Sequence, residues 1–274
     1  MECKVMTFNL RYNEPKDGGN AWPYRVKRVA RIIKEHDPIL FGTQEGYHNM
    51  LLELHGELDA YSWLGMGRFG GHEDEHCAIF YKKDQLEVLD EGQFWLSDTP
   101  EVPASTCWDS MFPRMCTWVH FRDKVSQQTF VVYNTHLDHR SPEARENGVK
   151  VIWDYIRSYQ SEISLPVIVL GDMNSHPNHP AIQYLRGESD DAGPNGWLTD
   201  AYTLVEGHIG RTAHDFKGGD DEAPIDYIFV SPEVELLETM VDRRQVDGGY
   251  PSDHYPIIAS IRLSYNEADQ GEHR

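Results

Sequence analysis

Residues 166–174 read PVIVLGDMN and join a short apolar run to an acid and an amide two residues apart. The run is rich in β-branched residues, a pattern that predicts a fully buried strand. Asp172 and Asn174 follow this strand at the position where α/β proteins place their chemistry. A second cluster, SDHYP at residues 252–256, precedes another apolar run at residues 257–261. Both clusters are therefore candidate functional segments at the ends of core strands.

The rest of the chain alternates short strands with loops and a few helices. We predict strands at residues 5–10, 39–42, 77–81, 117–121, 129–135, 225–230 and 257–261, and helices at residues 24–35, 47–58 and from Ser141 onward. In the last helix Ser141 is a favourable N-cap and Pro142 a favourable first residue, and an apolar stripe follows at helical spacing: Val149, Ile152, Trp153 and Ile156. The many strands indicate an α/β fold in which two sheets share a core and the helices lie outside.

No internal repeat or long linker divides the 274 residues. We therefore predict a single domain at residues 1–264 and a polar C-terminal tail at residues 265–274. The sequence has no GxGxxG, P-loop or GxSxG motif, which argues against a dinucleotide-binding sheet, a P-loop nucleotidase and an α/β-hydrolase.

The charge balance is strongly acidic, with 25 Lys and Arg against 45 Asp and Glu and a net charge of −20. Nucleic-acid-binding proteins usually carry a basic surface, because displaced counterions drive their affinity. The balance therefore disfavours DNA and RNA as partners and favours a small phosphorylated substrate. A local basic groove would still be compatible with this composition.

The cysteines and the apolar runs bear on cell location. The four cysteines show no CxxC pair, so neither a zinc ribbon nor a disulfide framework is expected. The N-terminal residues contain no signal-like apolar segment, and no run approaches 18 apolar residues. We expect a cytoplasmic protein that does not associate with membranes. Its oligomeric state is left open.

Eight polar residues fall at the boundaries of apolar strands: Asn9, Glu45, His136, Asp172, Asn174, Asp226, Asp253 and His254. Taken singly, an Asn or Asp at a strand end is most often a turn former, and a lone histidine most often has a structural role. Together, their oxygens are ligands that suit Mg²⁺ or Mn²⁺. The two histidines can move a proton or, when cationic, stabilise a phosphoryl oxygen. The set predicts metal-assisted hydrolysis of a phosphoester.

Besides Asn9, these residues belong to five short segments: QE at 44–45, NTHL at 134–137, GDMN at 171–174, IDY at 225–227 and SDHYP at 252–256. In content and order this series resembles the endonuclease/exonuclease/phosphatase superfamily, which has the deoxyribonuclease I-like fold. The resemblance covers nearly the whole chain and implies a four-layered α/β sandwich, with two mixed β-sheets packed face to face and helices outside. One departure is Met173, where the family usually has an aromatic or other apolar residue; we expect its side chain to point into the core.

The resemblance also implies roles. Glu45 would be the principal metal ligand, with Asn9 and Asp253 beside it. Asp172 and Asn174 would position the nucleophilic water and the scissile phosphate. His254, oriented by Asp226, would act as general base or bind the phosphate, and His136 would stabilise the phosphoryl oxygens. Whether Asp172 or His254 takes the proton is left open.

Substrate specificity is less well determined. His136 resembles the phosphatase, deadenylase and sphingomyelinase branches, and segments 20–25 and 112–118 resemble a small bacterial subgroup that includes sugar-phosphate phosphatases. Arg114 or Arg140 could clamp a phosphate, and Trp22 or Trp108 could stack on a sugar or base. For each tryptophan, packing in the core is the alternative. Residues 72–76 (HEDEH) have the content of a metal cluster, but we expect a solvated acidic loop.

We therefore expect a Mg²⁺- or Mn²⁺-dependent phosphatase or phosphodiesterase acting on a small metabolite such as a sugar phosphate or nucleotide. The alternative is a metal-dependent nuclease on DNA or RNA, either an exonuclease, a deadenylase-like enzyme or a repair-type endonuclease. An inactive binding module ranks lower because every motif residue is present.

Overall fold

The computed structural model describes residues 1–162, 165–189 and 198–263, so the predicted tail at 265–274 lies outside the described residues. The strands are β1 (Glu2–Asn9), β2 (Leu40–Gln44), β3 (Gly46–Tyr47), β4 (Tyr61–Leu64), β5 (Glu75–His76), β6 (Ile79–Lys82), β7 (Leu86–Trp95), β8 (Met115–Asp123), β9 (Thr129–His136), β10 (Val167–Asp172), β11 (Thr199–Asp200), β12 (Asp226–Val230), β13 (Val234–Val241) and β14 (Ile257–Leu263). The α-helices are α1 (Trp22–His36), α2 (His48–Glu57), α3 (Pro142–Glu162) and α4 (Pro180–Leu185), and short 3-10 helices lie at Pro15–Asn20 and Ala201–Leu204.

Two six-stranded mixed sheets form the body of the fold. The first has the order β13-β14-β1-β2-β6-β4 and the second the order β11-β12-β10-β9-β8-β7, while β3 and β5 form a separate pair. In the first sheet β1 runs parallel to β2 and antiparallel to β14. In the second, β10 runs parallel to β9 and antiparallel to β12. The expected α/β sandwich is confirmed.

Alternation along the strands divides the side chains between two apolar layers. In β1, Val5 joins the core that the two sheets share, whereas Met6 and Phe8 pack on the other side of the sheet against α1 and α2. The shared core continues through the second sheet to α3, where the predicted residues Val149 and Ile152 are fully buried. The layers therefore run helix, sheet, sheet, helix.

The three predicted helices begin within about two residues of their expected positions, and the two whose ends were predicted also end within about two residues of them. Helix α1 ends at His36, and the next residue, Asp37, has a left-handed backbone (φ 52°) and an N–H that donates to the Ile33 carbonyl. The backbone N–H of Ala144 donates to Oγ of Ser141 (3.1 Å), as expected for an N-cap. Among the described helices, none combines the length and apolar content needed to cross a bilayer.

Six strands were not predicted from the sequence: the sheet edges β4, β7, β11 and β13, and the two-residue strands β3 and β5. Glu87, Asp90 and Glu91 lie on β7, and Glu235 and Glu238 lie on β13. Charged side chains protect an edge from pairing with another chain. The same residues break the apolar pattern by which a strand is detected.

The sheet topology brings the polar strand ends to one side of the molecule. Asn9 is the last residue of β1 and Asp172 the last residue of β10. Because β12 runs antiparallel to β10, its first residue, Asp226, pairs with Asp172. On the other side of β10, the last residue of β9, His136, also pairs with Asp172.

Candidate active site

An amide bridge joins the two sheets at the site. The Nδ2 of Asn9 donates to Oε1 of Glu45 and to Oδ2 of Asp172, each at 2.9 Å. Behind it, Nε2 of Gln44 donates to Oδ1 of Asn134 across the sheets at 2.7 Å. All of these groups except Glu45 are buried, so their hydrogen bonds fix how the two sheets sit at this edge.

An unusual backbone conformation sets the direction of the Glu45 side chain. Its φ is 63°, a left-handed conformation that costs energy for a residue other than glycine. Its Oε2 accepts a hydrogen bond from the Tyr12 backbone N–H at 3.1 Å, and Oε1 accepts from Asn9. Both oxygens are therefore held at the junction of the sheets, where the resemblance placed the principal metal ligand.

The segment after β10 combines a turn with a positioned side chain. The backbone N–H of Asn174 donates to Oδ1 of Asp172 (2.9 Å), and its Nδ2 donates to the Leu137 carbonyl (3.0 Å). Asn174 can therefore form a turn and take part in the site at once. The two hydrogen bonds use its backbone N–H and its Nδ2, and neither uses its Oδ1. Met173 is fully buried in the shared core, as predicted.

His254 pairs with Asp226 across the two sheets. Its Nδ1 donates to Oδ2 of Asp226 at 2.9 Å, which is the orientation that the family resemblance implied. Burial acts against a charged imidazole, but the carboxylates of Asp226 and Asp172 outweigh it and raise the pKa of His254 well above its ordinary value. Oγ1 of Thr212 accepts from the backbone N–H of Asp226 at 3.2 Å and so fixes the start of β12.

His136 lies on the opposite side of Asp172, with its Nε2 3.5 Å from Oδ2 of that residue. Burial, with the positive charges of Arg114 and Arg68, lowers the pKa of His136 well below its ordinary value. These surroundings therefore favour the neutral imidazole of His136 over its cationic form. A neutral imidazole can still donate a hydrogen bond to a phosphoryl oxygen.

The donor set fits a divalent cation. One carboxylate oxygen each from Glu45 and Asp172 and one ring nitrogen of His254 all lie within 4.8 Å of one another. Burial and the neighbouring charge of Asp226 raise the pKa of Asp172 to about 7, so negative charge is crowded here. A hard cation with oxygen ligands relieves such crowding. Asp253 lies at the edge of the group, with its Oδ2 3.7 Å from Nε of Arg11.

A small recess adjoins Glu45. It is lined by Glu45, Arg68, Glu75, His76, Cys77, Pro113, Arg114, Met115 and His136. Arg114 is buried, and its Nη2 donates to Nδ1 of His139 at 2.9 Å. Its buried Nε has no hydrogen-bond partner among the described residues. Arg114 is thus placed to meet an anion beside the carboxylates.

None of the other predicted substrate residues, Arg140, Trp22 and Trp108, lines this recess. The guanidinium of Arg140 is exposed and contacts Sδ of Met111 at 3.7 Å. Trp22 is only 1% exposed, packs in the outer core, and its Nε1 donates to Glu53 at 2.8 Å. The stacking role expected for Trp22 is therefore wrong, and the alternative of core packing holds.

Arg25 is a positioning residue that the sequence did not single out. Its side chain is fully buried, and Nη1 donates to the carbonyls of Leu10 (2.7 Å) and Pro251 (2.8 Å). It thus ties the segment after β1 to the segment before β14, next to Asn9 and Asp253. The spacing of Arg25 could have indicated its burial, because an arginine three residues after Trp22 lies on the apolar face of α1.

The 72–76 segment is only partly the solvated loop that was expected. His72 is exposed, but His76 is completely buried and burial lowers its pKa to about 4. Glu75 faces the active-site recess, where burial and the charge of Glu45 raise its pKa to about 7.

A model of the Endonuclease/Exonuclease/phosphatase family matches residues 6–254. The chain belongs to this family. Family members are hydrolases, and the matched range contains every candidate catalytic and metal-binding residue from Asn9 to His254.

Solved structures of other members of the endonuclease/exonuclease/phosphatase family share this architecture. A family protein from Bacteroides vulgatus is 34% identical, with a TM-score of 0.87 over 96% of this chain and 100% of that chain. The mannosyl-6-phosphatase of Bacteroides thetaiotaomicron is 30% identical, with a TM-score of 0.86 over 94% of this chain and 99% of that chain. Protein angel of Drosophila melanogaster is 26% identical over 181 residues, 62% of this chain, and the match spans about half of that protein (49%).

Proposed function

We propose that this protein is a divalent-metal-dependent phosphoester hydrolase acting on a small phosphorylated metabolite, with a sugar phosphate as the first candidate. The observation that carries the proposal is the convergence of carboxylate oxygens of Glu45 and Asp172 with a ring nitrogen of His254, all within 4.8 Å of one another, beside a recess lined by Arg114 and His136. Oxygen ligands next to a fixed guanidinium suit a phosphoryl group. Similarity to a mannosyl-6-phosphatase over nearly the full length of both chains supports the sugar phosphate.

Each residue of the site would have a separate role in the hydrolysis. A Mg²⁺ or Mn²⁺ held by Glu45, with Asn9 and Asp253 beside it, would supply charge neutralisation for the phosphoryl oxygens. Asp172 and Asn174 would orient the attacking water through their oxygens. His254 has its Nδ1 engaged by Asp226, so Nε2 is the nitrogen left to bind the phosphate or pass a proton.

The wall of the recess favours a small substrate over a polymer. Nε of Arg68 pairs with Asp74 at 2.6 Å, and its Nη2 pairs with Glu75, so half of the positive charge here is already compensated. The other cation at the recess is Arg114, whose Nε lies 3.5 Å from Oδ2 of Asp138. A nucleic-acid groove would need a longer basic surface than these residues provide.

The test is hydrolysis of a panel of sugar phosphates, nucleotides and short oligonucleotides with Mg²⁺ or Mn²⁺. We expect turnover of a sugar phosphate that EDTA abolishes. Glu45→Ala and His254→Ala should abolish it, and Asp226→Asn should lower kcat by about 10²-fold or more. Glu91→Ala, an exposed acid on β7, is the matched control and should retain activity.

Two outcomes would overturn the proposal. Unchanged turnover in folded Glu45→Ala and His254→Ala would remove the site. Cleavage of oligonucleotides with a steep salt dependence, and no hydrolysis of small phosphates, would assign the protein to the nuclease alternative.

A further inference from the structure

Three histidines form a cluster beside the β3–β5 strand pair. His48 is the first residue of α2, His72 lies in the loop before β5, and His76 is the last residue of β5. One ring nitrogen from each lies within 4.8 Å of the other two. The rings of His48 and His72 are 3.7 Å apart between centroids, and those of His48 and His76 are 5.9 Å apart.

Two ring nitrogens in this histidine cluster lack partners. His76 is fully buried, and its Nδ1 donates to the Asp74 carbonyl at 3.0 Å. Its Nε2, like Nδ1 of His48, is buried with no hydrogen-bond partner among the described residues. A buried polar atom left unpaired costs free energy, so an unpaired nitrogen in a native fold calls for an explanation.

We propose that His48, His72 and His76 bind a transition-metal ion, with Zn²⁺ as the first candidate, at a site separate from the active centre. Imidazole nitrogens select Zn²⁺ and similar ions, whereas Mg²⁺ requires oxygen ligands. A metal-bound histidine almost always donates its other ring N–H to a carbonyl or carboxylate, which is the role of Asp74 towards His76. Three histidines leave the fourth position to a water or another ligand.

Zinc binding sets how far apart the three ligand nitrogens must lie. With Zn–N bonds of 2.0–2.1 Å, tetrahedral geometry sets the nitrogens about 3.3 Å apart. One nitrogen of each ring already lies within 4.8 Å of the other two, so small ring rotations would bring the three to this spacing, and the exposed His72 is the freest of them to rotate.

The site would fix the loop that forms one wall of the recess. His76 pairs with Gly46, directly after Glu45, and the residue before it, Glu75, turns its side chain into the recess. A bound ion would therefore tie the loop between Gly67 and His76 to α2 and hold Glu75 in place. This effect of the ion on the position of the loop does not depend on the proposed hydrolase activity.

The experiment uses Co²⁺ as a spectroscopic probe on the full chain after chelator treatment. We expect the visible absorption of four-coordinate Co²⁺ at one equivalent, displaced by Zn²⁺. His72→Ala should lose this absorption and bind Zn²⁺ at least tenfold more weakly in calorimetry. Because His72 is exposed, this variant is expected to fold. His208→Ala, another exposed histidine, should behave as wild type.

Glu45→Gln distinguishes this site from the active centre, and the absorption should persist in that variant. Loss of the absorption in Glu45→Gln, its retention in His72→Ala, or its absence from the wild-type protein would each overturn the proposal. None of these results depends on whether the protein hydrolyses phosphoesters, so the two proposals can fail independently.

Discussion

Asn9 and Asp172 meet side chain to side chain at the junction of the two sheets, with Nδ2 of Asn9 2.9 Å from Oδ2 of Asp172. They are 163 positions apart and end strands of different sheets. The same amide hydrogen-bonds Glu45, so one neutral donor group separates two carboxylates. The bond therefore holds the site together before any cation is bound.

Removing that amide should destabilise the protein in a cation-dependent way. Asn9→Ala leaves Glu45 and Asp172 without their shared donor, and we expect the free energy of unfolding to fall by about 1–3 kcal/mol. Mg²⁺ should raise the Tm of this variant more than that of the wild type, because a cation can replace the lost donor. Chemical and thermal unfolding with and without Mg²⁺ measure both effects. Asn49→Ala, at an exposed position of α2, is the control; equal behaviour of the two variants would contradict the prediction.

Arg114 should contribute to substrate binding, and Arg140 should not. Arg114→Met removes the guanidinium at the recess and should raise KM for a phosphorylated substrate by about tenfold or more. Arg140→Met removes an exposed guanidinium and should change KM less than about twofold. Arg114→Lys keeps the charge without the planar fork, so we expect an intermediate KM. A larger effect from Arg140→Met would move the phosphate site to the outer loop.

Gly171 is required by the parallel pairing of β9 and β10. Its φ is 151°, and a Cβ there would lie 2.0 Å from the Thr135 carbonyl oxygen. Gly171→Ala should therefore lower the free energy of unfolding by about 2 kcal/mol or more, or prevent soluble expression. Gly56→Ala is the matched control, because no atom lies within 4 Å and the site is on α2. Denaturant unfolding should show that control unchanged or up to about 1 kcal/mol more stable.

Asp242 should give stability that depends on pH. Its carboxylate accepts from Nε2 of His36 at 2.7 Å and from Nη2 of Arg244 at 2.7 Å. Burial opposes the charged form, but these bonds outweigh it and hold the pKa of Asp242 well below its ordinary value. A lowered folded-state pKa stabilises the protein above the unfolded-state pKa of about 4. That contribution is lost as pH falls through the folded-state value.

The corresponding variant is Asp242→Asn. We expect it to cost about 1–3 kcal/mol at pH 7, and the difference from wild type should shrink as the pH is lowered below about 4. Urea unfolding of both proteins across that range provides the measurement. A difference that stays constant down to pH 2 would show that the hydrogen bonds, and not the charge, carry the effect.

Central strands and amphipathic helices were predictable because each repeats a local pattern. The apolar run before Asp172 and the helical spacing of Val149 and Ile152 identify buried elements without knowledge of their neighbours. The edge strands β7 and β13 were not predictable, since solvent at a sheet edge accepts charged residues and these remove the alternation. The strands β3, β4, β5 and β11 are too short to show an alternation.

The sequence alone determined which residues are chemically suited to the site, because strand ends followed by Asn, Asp, Glu or His are visible in the chain. Only the tertiary structure decided how they act. It buried Trp22, turned Arg114 and not Arg140 towards Glu45, and lowered the pKa of His136 through burial and nearby arginines. Burial, direction and pKa depend on groups brought together from distant parts of the chain, and no local pattern encodes them.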